Sequence, residues 1–282
     1  MSKNHTPINW YGGKSSHLDF ILPILRSDTD GYVEPYAGSA AVLVNREPAT
    51  IEVLNDQHEL LMRFFQALRE HGNKVAQHVE LTPYSRKEYQ RAVEILENPR
   101  RRDEINDVEF ARLFVIRASQ SYGGNFEGGK SSWSRNTSPS SYRGKAPSLR
   151  IWDSRSEKLQ ATAERLRRVQ FENKDAIEVI EDYDSPDTLH YCDPPYVANT
   201  RSSGGGEYRY EMSRDDHREL CEVLRRCDGY VALSGYINEI YADELEEYGW
   251  TRTDSGPIKN HSGNDNSTRI ESIWTNYDPD VV

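Results

Sequence analysis

The sequence predicts an α/β fold: a mainly parallel sheet with helices on its faces, interrupted by an inserted, mainly helical region. Three observations predict it. Short apolar strand segments alternate with helical segments near the start of the chain, and the alternation returns at about Arg155. Between about His71 and Arg150 it stops. Acids close two of the strand segments, at Asp56 and Asp193, and the carboxyl edge of an open parallel sheet is where ligands sit.

The elements follow in order. "GYVEPYAGSAAVLV" reads as a short buried strand, a tight turn at Gly38 and an apolar helix start. "TIEVLND" is a second strand ending in Asp56. "QHELLMRFFQALREH" has helical periodicity, with Leu60, Leu61, Phe64, Phe65 and Leu68 on one face. Two helical segments then mark the insertion, "SRKEYQRAVEILEN" and "DVEFARLFVIRAS". "QSYGGNFEGGKSSWSRNTSPSSYRGKAPS" is a long loop without periodicity, which reads as functional or disordered. The α/β texture resumes with the helix "SEKLQATAERLRRV" and the strand "VQFENKDA". The helix "AIEVIEDY" and the strand-turn "TLHYCDPPY" come next, then "DDHRELCEVLRRCDG" as helix and "YVALSGY" as strand. "INEIYADELEEYG" is a last helix, and "WTRTDSG" and "RIESIWTNY" are late strands. The expected domains are residues 1–70 with 151–282, discontinuous in sequence, and an insertion at 71–150.

Composition narrows the classes. The chain of 282 residues is 36% hydrophobic and 29% charged. No run approaches the roughly 20 apolar residues of a membrane helix. "MSKNHTPINW" lacks the apolar core of a secretory signal, so a cytoplasmic protein without membrane contact is expected. Cys192, Cys221 and Cys227 are odd in number and lack CxxC spacing, which argues against a disulfide frame or structural zinc. A net charge of −11 weighs against a polyanionic partner. Yet Gly129 to Arg168 holds ten basic residues and three acids, a net +7. That stretch suits nucleic acid, or equally a solvated helix face with a basic loop. Only nine of the 35 basic residues are lysine, as a salty cytoplasm or GC-rich coding would each produce.

"YCDPPY" is the sharpest chemical signal. Neither Pro194 nor Pro195 has an N–H, so the strand must stop with Asp193 at its carboxyl end. The Asp193 carboxylate and the Pro194 carbonyl both accept hydrogen bonds, which suits an exocyclic amine with two N–H donors. The Tyr196 ring beside them suits stacking on a flat base. The alternative is a plain proline turn closing a strand. The turn at Gly38 lets a ligand approach backbone, and Asp56 stands 18 residues later, near the ~20 expected of a ribose-binding acid. Dehydrogenases share that layout, but the strict G-x-G-x-x-G is absent. Asp56 as a simple strand-end acid is the other reading. "INWYGGKSS" looks like a phosphate loop, but Ile8 stands where a Walker loop needs its first glycine, and "NHTP" before it is no strand.

Together these segments resemble the Dam-like (D12-class) DNA adenine-N6 methyltransferases, over nearly the whole chain and in order. "WYGGK" is similar to the family's W-x-G-G-K, "VEPYAGSAAVLVN" to its methyl-donor glycine loop and "LND" to its ribose acid. "FENKDA" falls where the family has an Asp-Phe pair, "DPPY" matches its catalytic motif, and "LSGY" and "ESIWTNY" resemble later strands. The resemblance implies a Rossmann-like S-adenosylmethionine-dependent methyltransferase sheet with an inserted target-recognition domain. It implies S-adenosylmethionine at Trp10, Lys14, Tyr36, Gly38, Asp56, Asp175, Ala176 and Asp193. Ala176 departs from the usual Phe, so stacking on the donor's adenine must come partly from elsewhere. Lys14 is then a cation near the donor's carboxylate, and Trp10 packs against the donor.

The implied partner is double-stranded DNA, contacted at Tyr122, Asn125, Arg135, Tyr142 and Arg143 in the aromatic-interleaved basic loop. The insertion departs from the Dam consensus, which leaves the recognition sequence open. A companion restriction endonuclease is left open too, in a prokaryotic cell or its virus. In the implied reaction Asp193 and Pro194 hold the two hydrogens of a flipped adenine's N6 amine, Tyr196 stacks on the base, and the freed lone pair attacks the sulfonium methyl. "NTRSSGGGEYRY" would close over it, and no metal is required. The same chemistry on cytosine N4, on RNA or on a protein amide are the alternative reactions. A DNA-binding module that holds the donor without turnover is the alternative outside enzymes.

Overall fold

The computed structural model describes residues 4–127, 129–135, 147–197, 211–256, 258–259 and 268–281. In chain order α1 (Leu18–Ile21) precedes β1 (Gly31–Glu34), α2 (Ala41–Asn45), β2 (Ile51–Asn55) and the long α3 (Glu59–Glu80). A helical run follows: α4 (Arg86–Glu97), α5 (Pro99–Asp103), α6 (Asp107–Gln120), α7 (Pro147–Asp153) and α8 (Arg155–Leu166). Alternation then resumes with β3 (Val169–Glu172), α9 (Ala176–Tyr183), β4 (Thr188–Cys192), α10 (Arg214–Leu224), β5 (Tyr230–Gly235) and α11 (Glu239–Glu244). The last strands are β6 (Thr251–Asp254), β7 (Ile258–Lys259), β8 (Thr268–Arg269) and β9 (Ser272–Thr275).

The chain divides into two compact units. The sheet unit comprises Ser16–Ala37, Arg46–Glu59 and Arg168–Val282. Its seven strands run in the order β3-β2-β1-β4-β5-β9-β6. From β3 to β5 all neighbours are parallel, and β9 lies antiparallel to both β5 and β6. β1 and β4 are buried at every residue, as central strands of a parallel sheet covered on both faces are. The one acid in β1, Glu34, is satisfied by the Tyr32 hydroxyl at 2.6 Å. One face is sealed by Cys192, Leu220, Leu224, Leu233, Ile240 and Trp274, where α10 and α11 cover β4, β5 and β9. β6, at the edge, is exposed and charged, with Arg252 and Asp254 discouraging further pairing.

The helical unit comprises Met1–Ser15, Gly38–Asn45 and Leu60–Arg167. α6 is buried almost all round, through Phe110, Leu113, Phe114 and Ile116 among others, and α4 packs on it with Tyr89, Ala92, Val93 and Leu96 buried. The expected end of the first long helix near His71 is not where α3 stops. His71 leaves helical geometry (φ −125°, ψ 20°), but Val75, Ala76 and Val79 carry the buried face on to Glu80. Gly72 is there for packing: a Cβ at that position would lie 2.2 Å from the Ala163 methyl of α8. The short α5 is capped by the Asn98 side chain, with Pro99 in the first turn.

The basic stretch Gly129 to Arg168 is not one solvated surface. Arg155, only 1% exposed, donates to the Pro7 carbonyl at 2.7 Å and to Asn9 Oδ1 at 3.1 Å, fastening the N-terminal segment to α8. Burial lowers its pKa to about 10.

Candidate functional site

Four strand ends carry the expected residues of the sheet unit. Tyr36 follows β1, Asp56 follows β2, Asp175 follows β3 and Asp193 follows β4. Strand order reverses between β1 and β4, because β1 is succeeded on one side by β2 and β4 on the other by β5. In parallel sheets that reversal opens a crevice at the carboxyl ends of the strands.

Asn55, fully buried, ties three of these ends together. Its Nδ2 donates to the Pro35 carbonyl at 2.8 Å and to the Lys174 carbonyl at 3.2 Å, and its Oδ1 accepts from Lys174 N at 2.9 Å. Its backbone carbonyl accepts from Ala37 N at 2.8 Å. Asp56 then turns the chain, its Oδ1 accepting from His58 N at 2.9 Å while its carbonyl accepts from Asn173 Nδ2 at 2.6 Å. Asp175 caps α9: Oδ1 accepts from Ile177 N at 2.9 Å and Oδ2 from Gln57 Nε2 at 2.7 Å. Ala176, the first residue of α9, is buried. Tyr36 packs against the α10–α11 core cluster. Burial raises its phenol pKa well above the ordinary value, and Cys192 and Asp175 add to the shift.

Asp193 is half-buried, Pro194 buried and Tyr196 half-buried. The Tyr196 ring stands edge-on to Tyr236, with centroids 4.6 Å apart at 73°. Its hydroxyl donates to Glu271 Oε1, which also accepts from Ser234 Oγ at 2.8 Å. Burial pushes the Tyr196 phenol well up, and the charges of Glu271 and Asp193 push the same way. A phenol held so far from ionising donates a hydrogen bond across the whole working pH range.

Within the helical unit, Trp10 and Gly38 come together. A Cβ on Gly38, whose φ is +47°, would meet Trp10 Cδ1 at 3.3 Å, so a side chain there would be strained and crowd the tryptophan. Trp10 stacks on Phe114 (6.0 Å, 12°) and tilts against Phe126 (5.4 Å, 36°). Lys14, only 5% exposed, donates from Nζ to the Gly12 carbonyl at 3.2 Å.

The loop after α6 is rooted beside the same tryptophan. A Cβ on Gly124 would lie 3.2 Å from the Trp10 carbonyl carbon, and Arg117 Nε holds the Phe126 carbonyl at 2.6 Å. The loop is closed at its base by a bridge between Ser121 and Trp133 and by Ser134 N on the Gln120 carbonyl at 2.8 Å. From this frame Tyr122 projects, 66% exposed; Asn125 is half-buried and Arg135 exposed. Tyr142 and Arg143, like the closing segment "NTRSSGGGEYRY", lie outside the described residues.

Sequence reasoning missed Asn55, Glu271 and Tyr236. Asn55 stood inside the quoted "LND" and Glu271 inside "ESIWTNY", where an acid opening a buried strand was the available signal. Asp184, His190 and Cys227 have ligand atoms within 4.8 Å of one another, the spacing of a metal group. Asp184 and Cys227 stand before β4 and β5, at the strand ends opposite Asp193. Asp184 there accepts from Asp228 N at 2.8 Å and Gly229 N at 3.0 Å, fixing the α10–β5 turn, and burial keeps His190 below its ordinary pKa.

A family model described as D12 class N6 adenine-specific DNA methyltransferase matches residues 10–253 of the chain. No protein of curated function matches it significantly.

Proposed function

The chain belongs to the D12 class N6 adenine-specific DNA methyltransferases, and on that premise we propose how its own residues divide the work. The enzyme transfers a methyl group from S-adenosylmethionine to the N6 amine of adenine in DNA. Cytosine N4 is not the favoured target. Asp193 and the Pro194 carbonyl accept the two amine hydrogens, drawing the nitrogen toward tetrahedral geometry. The lone pair, otherwise delocalised into the ring, then attacks the sulfonium methyl in line. Placement of the two reactants and acceptors matched to the developing positive charge lower the barrier. The adenine is taken out of a duplex and stacks on Tyr196.

Tyr36, Asp56, Asp175 and Ala176 hold the donor at the carboxyl ends of β1, β2 and β3. Asp56 is suited to the ribose hydroxyls, since its carboxylate is turned by His58 N and its position is fixed by Asn55 and Asn173. Trp10, Lys14 and Gly38 are assigned to the donor from the family motif. Residues 71–150 serve as the target-recognition region, with Tyr122, Asn125 and Arg135 contacting double-stranded DNA. The working compartment is the cytoplasm of a prokaryotic cell or its virus.

One observation carries this reading: Asp-Pro-Pro-Tyr begins directly after β4, beside the reversal of strand order. Transfer of labelled methyl from S-adenosylmethionine to mixed-sequence DNA tests it, with the modified base identified by sequencing. Asp193→Ala should abolish transfer and leave DNA binding largely intact. Near-normal turnover in that variant would remove the central claim.

A further inference from the structure

Glu271 is a buried acid bonded to the Tyr196 hydroxyl of the catalytic motif, and the family match, which ends at residue 253, does not reach it. It is 3% exposed and stands immediately before β9. Its backbone is clamped to the segment after β6: Ser255 N donates to the Glu271 carbonyl at 2.8 Å, and Glu271 N donates to Ser255 Oγ at 3.0 Å. Its carboxylate accepts from Ser234 of β5 and from the Tyr196 hydroxyl. An anion so deeply buried is costly unless donors are fixed around it. Here two hydroxyls from different elements meet one carboxylate oxygen, and the carboxylate is anchored by two backbone bonds of its own residue.

The consequence falls on Tyr196. The two prolines restrain the backbone leading to Tyr196, but its ring still turns about χ1 and χ2. The edge-on contact with Tyr236 restrains one side of the ring. The hydroxyl bond to Glu271 fixes the far end of the ring axis and with it χ1, while rotation of the ring plane about that axis is limited by the Tyr236 contact. We propose that Glu271 is a positioning residue for methyl transfer: through the Tyr196 hydroxyl it holds the ring axis in the place where, against Tyr236, a flipped adenine stacks with its amine toward Asp193. The inference rests on the reading that Tyr196 stacks on the target base.

The test compares four single variants of the full chain and the Tyr196→Phe/Glu271→Ala double variant, with turnover, KM for DNA and donor affinity measured separately. Fluorescence of 2-aminopurine, placed at the target adenine, reports base stacking. Tyr196→Ala tests the underlying reading. Tyr196→Phe keeps the ring and removes the bond from one end. Glu271→Ala removes it from the other end, and Glu271→Gln keeps an acceptor of the same shape. The expected result is a loss of turnover of about ten-fold in Tyr196→Phe and in Glu271→Ala, the size of one hydrogen bond to a charged group. Donor affinity should be unchanged, and the double variant should be no worse than either single one, because both remove the same bond. Glu271→Gln should recover most of the loss. Should Glu271→Ala fail to fold, Tyr196→Phe still decides. Wild-type turnover and unchanged 2-aminopurine fluorescence in Tyr196→Phe, alongside a disabled Tyr196→Ala, would overturn the positioning role while leaving stacking intact. Near-normal turnover in Tyr196→Ala would instead overturn the stacking reading, and the positioning role with it.

Discussion

Replacing Asn55 should damage the donor site without touching the donor. Asn55→Ala removes three side-chain hydrogen bonds, at 2.8, 3.2 and 2.9 Å, in a fully buried position. Neutral bonds contribute about 1 kcal/mol each, so the variant should lose about 3 kcal/mol of stability. For a chain of this size that is a fall in Tm of roughly 6–12 °C. Asn55→Asp should cost more. It keeps the acceptor for Lys174 N but turns a carboxylate oxygen toward the carbonyls of Pro35 and Lys174, where two N–H groups had pointed. The three strand ends it joins carry Tyr36, Asp56 and Asp175, so donor affinity measured by calorimetry without DNA should fall about ten-fold or more, about 1.4 kcal/mol. Turnover at saturating donor should suffer less, because the Asp193 loop is held from the Glu271 side. The assay is paired: thermal unfolding, then donor titration well below the transition. A Tm within about 1 °C of wild type, with donor affinity intact, would refute the account of Asn55 as the knot of the site.

Two further outcomes are expected. Asp56→Ala should weaken S-adenosylmethionine binding by roughly 1.5–3 kcal/mol, the range for hydrogen bonds to a charged group; an unchanged affinity in calorimetry would return Asp56 to a turn-forming role. Arg135→Ala should make the slope of log K for DNA against log salt shallower by about 0.9 if the guanidinium meets a phosphate, or relax sequence choice if it reads a guanine edge. If a salt series shows the same affinity, slope and site preference in that variant as in wild type, Arg135 does not contact DNA.

What could be read from the sequence was chemistry carried by neighbours in the chain. "DPPY" states its own geometry, because two prolines end a strand wherever they occur, and β4 does stop at Cys192. "GYVE" read as a short buried strand and is one, and "TLHYC" read as a strand; its Thr188 and His190 gave no sign that it is buried throughout. Gly38 was legible because a tight strand-to-helix turn favours glycine, and its φ of +47°, with Trp10 3.3 Å from where a Cβ would stand, gives the reason. Gly72, just past the expected end of the first long helix, has a reason of the opposite kind. It lies inside α3 and makes room for Ala163, which is 91 residues away in sequence. The supports of the site share that non-local character. Glu271 meets Ser234 across 37 residues and Tyr196 across 75, and Asn55 meets Lys174 across 119. None of these pairings exists until strand order is known, since β9 must insert between β5 and β6 to bring Glu271 beside Ser234. Charge followed the same logic. Counting along the chain gave a +7 stretch, but folding sorts its members by burial, and Arg155 is spent on the Pro7 carbonyl. A motif therefore names the atoms that react, while the residues that hold those atoms at their angles belong to the topology. That is why the variants expected to separate binding from turnover, at Asn55 and Glu271, stand at positions no motif marked for that work.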